Sequence, residues 1–278
     1  MASVVVIGGG TMGAGIATSM LVAGKTVWVV EAAAGAAEGV RARVADSLER
    51  LARKYTQLDP ASLLSRLSID TDHPANTNDT DLVIEAVPED LELKQAILTD
   101  LESRYDSSVI FASNTSSLSI TEMATALEHP DRCIGMHFFN PVPVSELIEI
   151  VVGESTSKLA IGEAEDWAER LGKTPIIVND APGFASSRLG LALGLEAIRM
   201  VEAGVASAED IDTAMTLGYK HPMGPLRLTD LVGLDVRLAI AEHLATELGD
   251  RFEPPALMRA MVAEGKLGKK AGQGFYSW

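Results

Sequence analysis

"VVVIGGGTMG", residues 4–13, is the stretch that decides how the first half of this chain folds. Its β-branched run is typical of a buried parallel strand, and residues 11–23 carry the apolar spacing of a helix. Between them, Gly8, Gly10 and Gly13 give the pattern G-x-G-x-x-G. In such a turn the first glycine permits the bend, the second lets backbone approach a pyrophosphate, and the third allows close helix packing. The stretch therefore predicts a dinucleotide-binding turn.

A carboxylate at the end of the next strand-like run indicates which dinucleotide is bound. "KTVWVVE" ends in Glu31, roughly 20 residues on, where an acidic side chain accepts hydrogen bonds from ribose hydroxyls. The same carboxylate would repel a 2′-phosphate, and no arginine follows it in "EAAAGAA". This favours NAD over NADP; the alternative is a glycine-rich turn that binds nothing.

Composition narrows the class of protein. The chain has 278 residues, is 47% hydrophobic and carries a net charge of −16, so a nucleic-acid or anionic membrane surface is excluded as partner. The single cysteine, Cys133, cannot form an internal disulfide, which favours a reducing compartment. The N-terminal apolar run is short and lacks a basic flank, and no stretch approaches the ~20 uncharged residues of a membrane span. We expect a cytoplasmic protein.

Strand and helix patterns alternate to about residue 180, which predicts an α/β, Rossmann-like doubly wound sheet that is mostly parallel. After "NDAPGF" the pattern turns helical, over 184–203, 207–216, 229–248 and 255–264. Ser207 and Asp210 resemble a capping box within this part. We expect an NAD-binding domain over 1–181 and an all-α domain over 182–278.

The first helix of the second domain has more apolar surface than a small domain can hide. These side chains surround much of its circumference: Leu189, Leu191, Leu193, Leu195, Ile198 and Met200. A homodimer interface through the C-terminal helices would bury the excess.

Polar residues at strand ends are the candidates for chemistry. His137 ends the strand-like "CIGMH", and Glu149 lies among apolar residues in "LIEIVV", where a carboxylate is costly without a partner. If the two meet, the carboxylate fixes the imidazole tautomer and stabilises the imidazolium of an acid–base catalyst. The alternative is a hydrogen-bonded core histidine. A third cluster, "SNTSSLS" with Asn114, either lies near the nicotinamide or caps the next helix.

Several motifs together resemble one family. They are "VIGGGTMGAGIA", "EAVPEDLELK", "FASNTSSLSI", "GMHFFNPVP", "LIEIV", "DAPGF", "HPMGPLRLTDLVGLD" and "GKKAGQGFYSW". In this order, from residue 3 to 278, they are similar to the 3-hydroxyacyl-CoA dehydrogenases, particularly the single-function bacterial 3-hydroxybutyryl-CoA type. The resemblance implies oxidation of an L-3-hydroxyacyl-CoA by NAD to the 3-ketoacyl-CoA, by a Rossmann-like domain followed by a helical dimerisation domain.

The resemblance also implies site residues. It assigns the catalytic base to His137, its partner carboxylate to Glu149 and the substrate-binding hydroxyl to Ser116. It assigns cofactor contacts to Gly8, Gly10, Thr11, Met12, Gly13, Glu31, Glu89, Lys94, Ser116, Asn140 and Lys270. Coenzyme A is assigned to Ser47, Lys54 and Ser116, and no metal is expected. "GKK" around Lys270 would otherwise be interpreted as a solvated basic turn.

Two features bear on the acyl-CoA substrate. Ser47, Leu51 and Lys54 share one face of a helix that is rich in arginine, which suits the phosphates of coenzyme A, although a solvated basic face is the alternative. Ser187 stands where the family usually has asparagine, in "PGFASSR", so we expect it to contribute to the catalytic set with a shorter donor.

Two other functions remain open from the sequence. The first is dehydrogenation of a free 3-hydroxy acid, as in the gulonate dehydrogenase and λ-crystallin branch. The second is a non-catalytic NAD-binding structural protein on the same fold.

Overall fold

A sheet of eight strands forms the centre of the N-terminal part of the chain. The computed structural model describes residues 3–74, 80–106 and 108–278, and within these the strand order is β3-β2-β1-β4-β5-β6-β7-β8. The strands are β1 (Ser3–Ile7), β2 (Thr26–Val30), β3 (Leu67–Asp70), β4 (Thr80–Glu85), β5 (Ile110–Ser113), β6 (Cys133–Phe138), β7 (Leu147–Val152) and β8 (Thr174–Asn179). All neighbouring pairs are parallel except β6 and β7, which are antiparallel. The predicted mostly parallel sheet is confirmed.

Helices flank this sheet because its strands are apolar on both faces. They are α1 (Thr11–Val22), α2 (Ala37–Lys54), α3 (Pro60–Leu64), α4 (Leu91–Arg104), α5 (Ile120–Ala124) and α6 (Lys158–Arg170). Val4 and Val6 of β1 are fully buried, as are Ile16 and Met20 of α1. Burial of such side chains contributes about 1.5–3 kcal/mol each, which fixes α1 on the sheet with its N-terminus at the glycine turn.

The chain divides into two compact units, Met1–Ala181 and Pro182–Trp278. The second is helical, with α7 (Ser186–Glu202), α8 (Ala208–Thr213), α9 (Pro225–Val232), α10 (Leu234–Leu248) and α11 (Ala256–Ala263). It has its own core, in which Leu195, Ile198 and Leu226 are fully buried. The predicted all-α character of this part is confirmed.

Some helix bounds differ from those predicted. The single helix expected over 229–248 is wrong, because Gly233 adopts φ +107° and separates α9 from α10. The helix expected over 207–216 ends at Thr213 and continues as one wider π-type turn over Ala214–Gly218. The helix cap at Ser207 is confirmed, since its hydroxyl accepts the backbone N–H of Asp210 at 3.1 Å, and the same hydroxyl donates to the Asp210 carboxylate at 2.9 Å.

Two sequence expectations concern the environment of the protein. Cys133 is buried in β6, and burial, with smaller effects from Glu85 and Asp180, raises the pKa of its thiol to about 12. The thiol is therefore unreactive at neutral pH. None of the described helices combines the length and apolar character needed to cross a membrane.

Candidate active site and dinucleotide-binding turn

The glycine turn joins β1 to α1 and leaves the helix N-terminus accessible. Gly8 has φ +93°, and a Cβ there would lie 2.9 Å from the carbonyl oxygen of Ala86. A Cβ at Gly13 would overlap the carbonyl oxygen of Gly8, so the helix can pack this closely only with glycine. At Gly10, by contrast, no described atom lies within 4 Å of where a Cβ would be. The open backbone at the start of a 12-residue helix fits the pyrophosphate of a dinucleotide.

Glu31 and Arg43 hold the middle of this turn from two sides. Glu31, the residue after β2, accepts the N–H of Gly9 at 2.9 Å, and Arg43 of α2 donates to the carbonyl of Gly9 at 2.7 Å. The two peptide groups on either side of Gly9 are therefore oriented before any ligand binds. The sequence marks this helix only as rich in arginine, and nothing local in it indicates that the Arg43 side chain reaches back to the turn.

His137 and Glu149 meet across the antiparallel pair of strands. They are register partners in β6 and β7, and the distance from His137 Nδ1 to Glu149 Oε2 is 2.7 Å. The histidine side chain is 10% exposed and the glutamate fully buried. The ring of Phe139 lies 4.6 Å from the imidazole, centroid to centroid. The contact between His137 and Glu149 that the sequence analysis considered is therefore present. It is shielded from water, which strengthens a charge-assisted hydrogen bond.

The serine-rich loop after β5 lies at the same edge of the sheet. β5 pairs with β6 in parallel, and the side chain of Asn114 accepts the N–H of Phe138 at 3.0 Å, which ties the two strand ends together. Ser119 caps α5 by accepting the N–H of Glu122 at 3.1 Å. The capping interpretation therefore accounts for Ser119 alone. Ser116 is half-buried three residues earlier and is left for another role.

The carboxylate of Glu89 accepts hydrogen bonds from this loop. Its Oε1 accepts the hydroxyl of Thr115 at 2.6 Å and the backbone N–H of Ser116 at 3.0 Å. Burial acts to raise the pKa of Glu89, but the charge of Lys94 and the hydrogen bonds from the loop outweigh it, so the pKa lies below its ordinary value. Glu89 is therefore ionised at neutral pH. Lys94 is itself 1% exposed.

The helix assigned to coenzyme A borders a cavity. Leu51 of α2 and Tyr55, just after it, line a space of about 450 Å³ together with Arg170 and Lys173. The ammonium of Lys54 lies 5.2 Å from the centroid of the Tyr55 ring. The residues that line this space do not include His137, Glu149 or Ser116.

The remaining predicted residues have these surroundings. Asn140 is exposed just after β6. In the second unit, Ser187 is half-buried in the first turn of α7, and Lys270 forms an ion pair with Asp235 at 2.6 Å. In the described part of the chain, no group of three or more His, Cys, Asp or Glu side chains could hold a metal ion.

The site has two parts on one sheet: an open helix N-terminus after a glycine turn, and a buried histidine–carboxylate pair. This arrangement is typical of dinucleotide-dependent dehydrogenases. Comparison with known proteins gives the family. Residues 3–181 match the NAD binding domain of 3-hydroxyacyl-CoA dehydrogenase, and residues 183–278 match its C-terminal domain. The chain belongs to the 3-hydroxyacyl-CoA dehydrogenase family, whose members are NAD-dependent enzymes.

Three relatives illustrate the similarity. A 3-hydroxybutyryl-CoA dehydrogenase of Clostridioides difficile is 41% identical over 276 residues, covering 98% of each chain. The mitochondrial hydroxyacyl-coenzyme A dehydrogenase of Sus scrofa is 41% identical over 99% of this chain and 90% of its own. The crystal structure of the (S)-3-hydroxybutyryl-CoA dehydrogenase of Ralstonia eutropha superposes with a TM-score of 0.93 at 44% identity, covering 99% of this chain and 98% of that one.

Proposed function

We propose that this enzyme oxidises short-chain L-3-hydroxyacyl-CoA, 3-hydroxybutyryl-CoA above all, to the 3-ketoacyl-CoA and catalyses the reverse reduction. The observation that carries the proposal is the buried contact between His137 and Glu149, 2.7 Å long, on the sheet that carries the dinucleotide turn. The short acyl chain is supported by the names of the Clostridioides difficile and Ralstonia eutropha relatives.

In the proposed mechanism His137 is the acid–base catalyst. Its imidazole accepts the proton of the 3-hydroxyl group as the C3–H bond breaks. NAD, when bound, supplies the nicotinamide ring that takes the hydride from C3. Because Glu149 engages Nδ1, we assign the transferred proton to Nε2. The carboxylate keeps the neutral imidazole protonated on Nδ1 and stabilises the imidazolium. In the reverse direction the imidazolium returns the Nε2 proton to the substrate oxygen.

Ser116 is assigned to the substrate oxygen and Ser187 to a second polar contact with the substrate. The hydroxyl of Ser116 belongs to a half-buried residue on a loop fixed at the carboxyl edge of the sheet, where ligands of doubly wound folds bind. Ser187 offers one hydroxyl donor where the family usually has an amide, which shortens the reach of that contact.

Coenzyme A is assigned to α2 through Ser47 and Lys54. The cavity that Leu51 and Tyr55 line supports this placement, because the Tyr55 ring and the Lys54 ammonium beside it suit a nucleotide with phosphate groups. Arg41 and Arg43, also on α2, are not assigned to coenzyme A, since they donate to the backbone of Leu67 and Gly9.

The decisive assay compares two oxidised substrates. NADH consumption is measured with acetoacetyl-CoA and, separately, with free acetoacetate at equal concentrations. We expect turnover with the thioester and little with the free acid. Comparable rates on both would place the enzyme with the free-acid dehydrogenases, and no consumption of NADH with either, despite NADH binding, would favour a structural role.

We also propose that the enzyme is a homodimer in the cytoplasm. Leu189 and Leu193 on α7 are 67% and 44% exposed, whereas Leu191 and Leu195 of the same helix are buried. A second copy would cover the exposed pair. Light scattering on the wild type and on Leu189→Glu tests the assembly, since the variant is expected to be monomeric, and fractionation of the source cells tests the location.

A further inference from the structure

Lys173 holds the connection between the two strands of the histidine–carboxylate pair. It lies between α6 and β8, and only 7% of the residue is exposed. Its Nζ donates to the carbonyl oxygen of Val142 at 2.6 Å and to that of Ser145 at 2.5 Å. Both carbonyls belong to the connection over 139–146, which leads from β6 to β7. One ammonium thus fastens this connection at two points.

Burying this ammonium costs free energy. Among the described residues, its hydrogen-bond acceptors are both backbone carbonyls, and burial alone lowers the pKa of Lys173. A carboxylate partner would offset part of this desolvation, and an apolar side chain would avoid it. The charge does strengthen the contacts, since hydrogen bonds from an ionised donor are about twice as strong as neutral ones. Strong directional contacts of this kind suit a side chain that fixes the position of backbone.

Main-chain contacts next to Lys173 tie the same connection to β7. The N–H of Thr174 donates to the carbonyl of Glu146 at 2.6 Å. Thr174 is also the register partner of Leu147, the first residue of β7. Glu149 lies two residues further along that strand. The side chain of Lys173 and the backbone that follows it therefore fix the place where β7 begins.

The start of the connection packs on α1. Val142 is 1% exposed, and a Cβ added at Gly15 would lie 3.0 Å from the Cβ of Val142. Glycine at this position therefore lets the connection lie close to the helix that begins at the dinucleotide turn. Packing against α1 and the ammonium of Lys173 together hold the connection in place.

The contact between His137 and Glu149 depends on the exact place of β7. Protein N–H···O hydrogen bonds span about 2.7–3.2 Å, so a displacement of about 1 Å takes the 2.7 Å contact out of that range. We propose that Lys173 is a positioning residue, which holds the 139–146 connection so that Glu149 stays in contact with His137. The inference rests on the proposed function, in which this pair performs acid–base catalysis.

A double-mutant cycle tests the positioning role. Wild type, Lys173→Met, Glu149→Gln and the double variant are compared for kcat and KM in the reduction of acetoacetyl-CoA, with a thermal melt of each. We expect Lys173→Met to lower kcat about 5- to 50-fold with KM values within about twofold, because misplaced catalytic groups slow the chemical step. In the Glu149→Gln background the same change should cost less than about twofold, because the charge being positioned is already absent.

Hydrogen–deuterium exchange of the free enzyme gives a readout that needs no substrate. Amides over 142–149 should exchange about tenfold faster in Lys173→Met, because two charge-assisted bonds that hold this segment are lost. Lys158→Met makes the same substitution at the exposed first residue of α6. This matched control should behave as wild type in exchange and in kinetics.

A milder variant covers the case in which Lys173→Met fails to fold. Lys173→Gln keeps a neutral donor on a shorter side chain and should lower kcat about 3- to 10-fold. This loss should also disappear in the Glu149→Gln background.

Three results would overturn the inference. They are additive losses in the cycle, unchanged exchange over 142–149, and a tenfold or greater rise in the KM for acetoacetyl-CoA with kcat unchanged. The last would mean that Lys173, which lines the cavity beside α2, contacts the substrate instead. If wild type does not reduce acetoacetyl-CoA at all, the proposed function fails, whereas the exchange measurement still decides whether Lys173 holds the connection.

Discussion

Replacing Glu149 by glutamine tests the core of the proposed mechanism. The substitution keeps the shape of the side chain and removes its charge, 2.7 Å from His137 Nδ1 and out of contact with water. With its amide oxygen toward His137, glutamine still accepts a hydrogen bond from Nδ1–H, and in that orientation the loss reports the stabilisation of the imidazolium rather than the orientation of the ring. It can also turn its amide group toward Nδ1 and favour the wrong tautomer.

The structure sets the size of the effect. A hydrogen bond to a charged group contributes about 1.5–3 kcal/mol, and each 1.36 kcal/mol changes a rate tenfold. The expected loss in turnover is therefore about 10- to 150-fold. For comparison, two unit charges about 4 Å apart at an effective dielectric constant near 20 interact by about 4 kcal/mol, or about 10³ in rate.

The assay is steady-state reduction of acetoacetyl-CoA, with NADH titration and a thermal melt of the same samples. Glu154→Gln, an exposed position just beyond the other end of β7, is the matched control and should behave as wild type. A folded Glu149→Gln enzyme that keeps turnover within twofold of wild type would refute the reasoning, because the carboxylate would then have no part in proton transfer.

Four further outcomes are expected. His137→Ala should lower turnover about 10²–10⁴-fold with NADH affinity nearly unchanged, and near-normal turnover would remove it from the mechanism. Glu31→Ala should narrow the preference for NAD over NADP in paired kinetics, and equal use of both cofactors by the wild type would contradict the assignment. Ser187→Ala should raise the activation free energy for acetoacetyl-CoA reduction by about 1–3 kcal/mol, and Ser187→Asn should match or exceed the wild-type activity. An alanine variant with a lower Tm but normal kcat/KM would show that the residue is structural. Folding lowers the pKa of Glu89, so the ionised carboxylate stabilises the fold above its ordinary pKa of 4.5. This stabilisation is lost as the pH falls through the lowered pKa. Urea unfolding at a series of pH values should therefore show wild type more stable than Glu89→Gln at neutral pH, with the difference shrinking as the pH falls below 4.5.

The features that could be predicted from sequence were those carried by local patterns. The glycine turn and the strand before it need only neighbouring residues to be recognised, and the structure confirms both. The meeting of His137 and Glu149 was inferable because a carboxylate in an apolar run requires a partner. The antiparallel direction that makes them opposite neighbours was not inferable from either segment.

The features that were missed depend on contacts distant in sequence or on very short segments. Arg43 reaches a turn 34 residues earlier, and Glu85 reads as an ordinary strand end until Lys94 and Ser113 surround it. β3 has four residues, too few to show a period, and it exists because it pairs with β2. A glycine inside an apolar helical pattern, as at Gly233, is tolerated often enough that sequence alone did not separate α9 from α10.

The reversal of β7 within an otherwise parallel neighbourhood links catalysis to strand register. Successive side chains in a strand point to opposite faces, so a slip of one residue between β6 and β7 would place Ile148 or Ile150 opposite His137 and turn the carboxylate to the other side of the sheet. Insertions in the 139–146 connection are therefore harmless to activity only while the ladder keeps its alignment. Directed evolution of this enzyme therefore has almost no freedom in the phase of the strand that follows that connection.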